Sequence, residues 1–198
     1  MEGVRIVQTS PTSYDLQQLN PASTGYHRYR DGKYIFPEDD DEQDRLDMQH
    51  EIFNKTLDDK LALAPISKQL HHVLDLGTGT GLWAIDFADQ HPEAHVIGVD
   101  LSPIQPRNVP PNCKFEIDDY EDSWTFHQKF DLIHGRMLLT SIANPQRLFA
   151  QAFNNLAPGG WMEMQDAAMP VTSDDGTMVN SAYERWNDLF ILACRDKL

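Results

Sequence analysis

Cysteine is scarce in this chain: Cys113 and Cys194 are the only two among 198 residues. Two thiols supply neither a disulfide framework nor a zinc site, and they fit a reducing compartment. Basic residues are also in deficit. Lys and Arg number 16 against 31 Asp and Glu, a formal charge of −15. A field of that sign repels phosphate backbones, so no nucleic-acid partner is expected. Long apolar runs are missing too. No stretch approaches the ~20 residues that span a bilayer. The N-terminus turns polar after Val4-Arg-Ile-Val7, without the apolar core of a secretory leader. The expectation is a soluble protein of the cytoplasm or nucleus with no membrane contact.

What is present is enough for one domain with a real core, since 40% of the residues are apolar. Residues 1–36 carry Pro11, Pro21 and polar residues without periodicity, yet also Tyr14, Tyr26, Tyr29, Tyr34 and Phe36. They read as an N-terminal arm or a lid, and residues 37–198 as the folded domain. A helix is predicted over 43–62, with Leu46, Phe53, Leu57 and Leu61 on one face and Pro65 ending it. Strands are predicted at 72–76, 94–100, 113–117, 130–134 and 161–165. Helices are predicted at 82–90, from Asn144-Pro145 to before Pro158-Gly-Gly160, and at 178–195. Strands separated by helices imply βαβ units and a parallel sheet, an α/β Rossmann-like fold with helices on both faces.

The run Val73-Leu-Asp-Leu-Gly-Thr-Gly-Thr-Gly81 places glycines between a strand and a helix, the form of a nucleotide-type loop. A P-loop needs Gly-Lys-Ser/Thr, and Leu82-Trp83 follow instead. A dinucleotide site prefers G-x-G-x-x-G, whereas the spacing here is G-x-G-x-G with Asp75 two residues before Gly77. A carboxylate suits a ligand carrying an ammonium and a sulfonium, such as S-adenosylmethionine (SAM), better than a pyrophosphate. Asp100 ends the next strand, 19 residues after Gly81, where an acid accepts both ribose hydroxyls in SAM and NAD sites alike. Asp118-Asp119-Tyr120 follows the third strand, near the adenine. Asp119 is favoured there, then Asp118, with an Asp-built turn as the alternative.

With these residues in this order, the chain resembles class I SAM-dependent methyltransferases. The runs Asp44-Arg-Leu-Asp-Met-Gln-His50, Asp100-Leu-Ser-Pro-Ile-Gln-Pro106, Val109-Pro-Pro-Asn112 and Phe130-Asp-Leu-Ile-His-Gly-Arg136 resemble the LaeA-like fungal methyltransferases. The resemblance covers roughly residues 26–195. It implies SAM as methyl donor and a place in fungal secondary metabolism. The role is either an enzyme acting on a small molecule or a SAM-binding regulator working through a protein partner or dimer. It further implies that Gly77, Thr78, Gly79 and Gly81 line the methionine end of SAM. Asp75 would hold the ammonium or order the loop. Asp100 and Leu101 would take the ribose, and Asp118, Asp119 and Tyr120 the adenine.

Methyl transfer from a sulfonium chiefly requires positioning, and no metal is required. His134 is the candidate general base, against a structural histidine at a strand end. Arg136 is the candidate for holding a carboxylate. Trp83 and Trp161 are expected in the core or the cofactor wall. The fold implied by the resemblance has seven strands, so the five read here lead one to expect a sheet without the final hairpin of strands 6 and 7.

Overall fold

The computed structural model describes residues 39–66, 69–168 and 170–195, so the expected arm at 1–36 lies outside the described residues. The elements are α1 (Asp40–Thr56), β1 (His72–Leu76), α2 (Leu82–Gln90), β2 (His95–Asp100), β3 (Cys113–Ile117), β4 (Phe130–Arg136), α3 (Pro145–Asn155), β5 (Leu156–Gln165) and α4 (Ala182–Arg195). The strands form one sheet in the order β3-β2-β1-β4-β5, every pair parallel. The predicted fold class is the observed one.

The central strands are buried on both faces, which is why they read as nearly continuous apolar runs. Their two-residue alternation still sorts the side chains. Val73, Val96 and Leu132 pack with Trp83, Ala84 and Phe87 of α2 on one face. Leu74, Leu76, Ile97 and Ile133 pack with Leu148 and Ala152 of α3 on the other. β1 sits where the chain's direction of travel across the sheet reverses, between β2 and β4. Ligands of such sheets settle outside the carboxyl ends of the strands at that reversal.

Asn112 locks the approach to β3. Its amide nitrogen lies 3.0, 3.1 and 2.9 Å from the carbonyl oxygens of Ala88, His91 and Ala94, which end α2 and lead into β2. Asn112→Ala removes a shared donor from these carbonyls, of which His91 O keeps Ala94 N, and should cost about 1–3 kcal/mol. Urea denaturation of both proteins measures the difference, and a change under 0.5 kcal/mol, the range of an ordinary surface substitution, would contradict this role.

Four boundaries differ from expectation by three residues or more. α1 begins three residues early, capped by Asp39, which accepts from Glu42 N at 2.9 Å. It also ends at Thr56 rather than near Pro65, because Asp58 and Asp59 both take left-handed φ angles of 54° and 57°. Two such residues in succession cannot continue a right-handed helix. Leu61 therefore lies in the connector, where its carbonyl accepts from Trp83 Nε1 and Gln165 Nε2 at 2.8 and 3.0 Å. β5 starts at Leu156, and the Pro158-Gly-Gly160 segment forms an irregularity against β4 instead of a loop before the strand. Trp161 is consequently on the sheet's edge strand and 44% exposed, not a core or cofactor-wall residue. α4 begins at Ala182, preceded by Asn180 at φ 61° and by Ser181, whose hydroxyl accepts from Glu184 N at 3.1 Å.

A carboxylate of the edge strand fastens the connector after α1. Glu163 accepts from Leu63 N and Ala64 N, at 2.9 and 2.6 Å, and from Gln165 Nε2 at 2.8 Å. α1 itself is tied to α2 through His50 and Asp86, and its Leu46 and Gln49 line the site described next.

Candidate functional site

The loop after β1 is shaped by glycine. Gly77 and Gly81 have φ of +59° and +86°. A Cβ on Gly77 would stand 2.5 Å from Leu138 Cδ2, and one on Gly81 2.5 Å from Phe115 Cζ. Both conformation and space therefore require glycine at these points. The loop's own N–H groups are largely spent inside the protein. Thr78 N donates to Val99 O at 3.0 Å, Gly81 N to Thr78 O at 2.9 Å, and Gly79 N to Asp100 Oδ2 at 2.8 Å.

Beneath the loop lies a buried polar cluster. Asp75 is 2% exposed and accepts from the Thr78 hydroxyl at 2.5 Å and from His134 Nδ1 at 2.7 Å. The His134 ring has no exposed surface and stacks on Trp83, centroids 3.7 Å apart and 3° from parallel. Its Nε2 is buried without a hydrogen-bond partner. Asp75 and His134 border a small cavity of about 50 Å³, shared with Gln49, His50 and Arg136. The sequence left two roles open for Asp75, holding the ligand's ammonium or ordering the loop. The structure gives it the loop-ordering contacts, while leaving it on the cavity wall.

Above the loop a larger cavity of about 530 Å³ runs along the carboxyl ends of the strands. Gly77, Gly79, Asp100, Leu101, Asp119 and Tyr120 all line it. Asp100 is pinned by Gly79 N on one oxygen and by Ser102 N, at 2.9 Å, on the other. Asp118 does not line this cavity. It turns back to accept from Asp119 N at 2.8 Å, and burial raises its pKa. Asp119 forms a turn by accepting from Glu121 N at 2.9 Å. The turn and the cavity-lining placement, weighed above as alternatives, are both present. Burial, followed by the Glu121 and Asp100 carboxylates, pushes the Tyr120 phenol well above its ordinary range.

Arg136, at the end of β4, borders both cavities. Its guanidinium donates to His50 Nδ1 at 2.8 Å, which leaves the other ring nitrogen of His50 to donate to Asp86 Oδ2 at 2.9 Å. It also lies over Phe53, 5.1 Å from the ring centre. Among the described residues no carboxylate comes within ion-pair distance of it. Burial lowers its pKa, opposed by the more distant charges of Asp75 and Asp86.

Sequence reasoning missed several members. His50 lay in a run quoted for the resemblance but received no role, since a histidine on a helix face carries no signal of its partner. Asp166 follows β5 and lines the larger cavity. It accepts from Leu138 N and Leu139 N at 3.3 and 3.4 Å, and burial, the leading effect, raises its pKa. Trp186 and Phe190 of α4 line the same cavity. The only signal for these was position after the fifth strand and spacing of four along a helix.

The family model described as "Methyltransferase domain" matches residues 48–192. Among curated proteins the chain is similar to methyltransferase pytC of Aspergillus terreus, 43% identical over 171 residues, covering 85% of this chain and 53% of that protein. It is also similar to the secondary metabolism regulator laeA of Aspergillus fumigatus, 39% identical over 192 residues, covering 96% and 51%. The chain thus spans about half the length of the curated relatives it matches. Among solved structures, the plantazolicin methyltransferase BpumL in complex with SAH aligns at a TM-score of 0.55 and 20% identity, over 73% of this chain and 58% of that one. At that identity the likeness shows the fold.

Proposed function

The chain belongs to the methyltransferase domain family, and from that premise we propose that it binds SAM along the carboxyl ends of its strands and methylates a small molecule of fungal secondary metabolism. One observation carries the reading. A single cavity joins the glycine loop, the pinned carboxylate of Asp100, Asp119 with Tyr120, and an arginine without a carboxylate partner among the described residues.

The residues fit SAM better than a dinucleotide. A pyrophosphate draws on free N–H groups at the loop and helix start. Those of Thr78, Gly79 and Gly81 are already engaged. The methionine end of SAM brings an ammonium and a carboxylate. Asp75 and Gln49 line the small cavity that would receive the first, and Arg136 would hold the second. Asp100 is held in place by Gly79 N and Ser102 N while lining the cavity, where a carboxylate suits the ribose hydroxyls. When bound, SAM supplies a methyl group already activated on sulfur. What this chain contributes is orientation and exclusion of water. α1 covers the methionine side through Glu42, Arg45, Leu46 and Gln49. His134 is a positioning group in this reading: it steadies Asp75 and the loop from below.

Calorimetry with SAM and with NAD tests the proposal. SAM is expected to bind and NAD not to. Arg136→Gln should weaken SAM binding at least tenfold, since a hydrogen bond to a charged group contributes about 1.5–3 kcal/mol. Binding of NAD in preference to SAM would refute the reading.

A regulatory role is the second reading, favoured by the 39% identity to laeA over 192 residues. It would use the same SAM site with a protein partner, in the nucleus or cytoplasm. Among the described residues no helix is long and apolar enough to cross a membrane. Labelled SAM with a host metabolite extract separates the two, because only the enzyme yields labelled small molecules.

A further inference from the structure

The cofactor-binding positions occupy one side of the larger cavity. The opposite side is built by the Met137–Ser141 segment after β4, by Asp166 after β5, and by α4. We propose that this side is the acceptor subsite, that Trp186 and Phe190 form a platform for a flat, uncharged aromatic ring, and that Asp166 accepts the proton of a hydroxyl group on that ring. The proposal rests on the SAM reading above and names its acceptor class.

The platform is visible in the side chains. Tyr183, Trp186 and Phe190 recur on one face of α4, and their rings are stacked in a ladder. Centroids are 5.6 and 5.3 Å apart, with interplanar angles of 22° and 15°. Trp186 and Phe190, the two rings of the ladder that line the cavity, offer a planar aromatic occupant offset or edge contacts that a saturated ring of equal size cannot exploit. Leu138 and Leu139 border the same space. Only two basic side chains line the cavity among the described residues, and both belong to the other side: Arg45 pairs with Glu42 on α1, and Arg136 sits beside His50. An anionic acceptor therefore finds no counter-ion among the described residues that line the α4 side of the cavity.

Asp166 is the group on this side suited to take a proton. Each carboxylate oxygen faces one backbone donor of the Met137–Ser141 segment, at long distances of 3.3 and 3.4 Å, which leaves capacity for a further donor. The charged and titratable groups sharing its cavity are Glu42 and Arg45 from α1, Asp100 from β2, Asp119 and Tyr120 after β3, and Arg136 from β4. Burial holds its pKa above the ordinary value, toward the range of a useful proton acceptor. In the transfer, the acceptor oxygen forms a bond to the methyl carbon as the sulfur–carbon bond breaks. Sulfur keeps that electron pair and becomes a neutral thioether, and the hydroxyl proton passes to the Asp166 carboxylate.

The test is equilibrium binding to the SAH-loaded chain, with SAH binding itself measured first. The probes are 2-naphthol, decahydro-2-naphthol, which is saturated, and 2-methoxynaphthalene, which has no proton to give. 2-Naphthol is expected to bind about tenfold tighter than either. Trp186→Ala should remove the preference for the planar ring. Leu189→Ala, on the same helix but outside the cavity, should leave it intact. Asp166→Asn should remove most of the preference for the free hydroxyl. In the unaltered protein that preference should fade as pH drops through the Asp166 pKa, and in the variant it should not vary. A merely structural aspartate would not produce that pH dependence. Equal binding of planar and saturated rings would overturn the platform, and equal binding of 2-naphthol and its methyl ether would overturn the role of Asp166. If SAH binds and 2-naphthol does not, this inference fails alone. If SAH does not bind, the cofactor reading fails with it.

Discussion

Replacing His134 by leucine should lower the stability of the domain by about 3–5 kcal/mol, the cost of stripping a buried charge of its partner. His134 Nδ1 is 2.7 Å from Asp75, and neither side chain has more than 3% of its surface exposed. Without the imidazole, the Asp75 carboxylate keeps only the Thr78 hydroxyl as a hydrogen-bond partner among the described residues, and Trp83 loses the ring stacked on it. Against a total stability of about 5–15 kcal/mol for such a domain, the loss is large. The Asp75→Asn/His134→Leu double variant should be less destabilised than the sum of the two single ones, because no uncompensated charge remains. Urea denaturation of the four proteins measures both quantities. A loss under 1 kcal/mol for His134→Leu would show that the pair is not the keystone described here. The same experiment separates this role from that of a general base, which would reduce turnover and leave stability nearly untouched.

The largest expected effect on the cofactor comes from Asp100. Its two oxygens take Gly79 N and Ser102 N, so the side chain orders the glycine loop and the segment after β2 while facing the cavity. Asp100→Ala should weaken SAM binding about 100-fold, the equivalent of one to two hydrogen bonds to a charged group at about 1.5–3 kcal/mol each. Asp118→Asn, outside the cavity, should change it less than threefold. Calorimetry with SAH reads both. Similar losses in the two variants would mean that the ribose and adenine positions have been assigned to the wrong carboxylates.

Local rules made much of this legible in advance. β1, α2 and the loop between them follow from a short apolar run, glycines and helical spacing, and their observed bounds match. The Asn144-Pro145 start of α3 follows from capping chemistry, and Asn144 does accept from Arg147 N at 2.9 Å. The end of α1 was not legible, because an Asp58-Asp59 pair is compatible with helix and departs from it only when tertiary contacts hold Leu61 elsewhere. His134 was expected to end β4, but the strand runs on to Arg136, and the depth of the side chain was not foreseen either. In a strand buried on both faces, alternation does not reveal which polar side chain is sealed beneath a tryptophan. The Asp166 and α4 wall was invisible for a different reason. It exists only where three distant segments meet, and no pattern within any one of them announces the meeting.

The clasp made by Glu163 also bears on the order in which the molecule assembles. It joins Leu63 and Ala64 to a residue about 100 positions later in the chain. Contacts of such sequence separation form late, since the loop between them must close first. During synthesis, when the amino-terminal part emerges first, α1 waits beside an unfinished sheet until β5 has been made. On the proposed SAM reading, the connector beside the methionine side is therefore fastened only at the end of folding. A cofactor bound there would then favour the completed sheet, since a ligand of the folded state stabilises it.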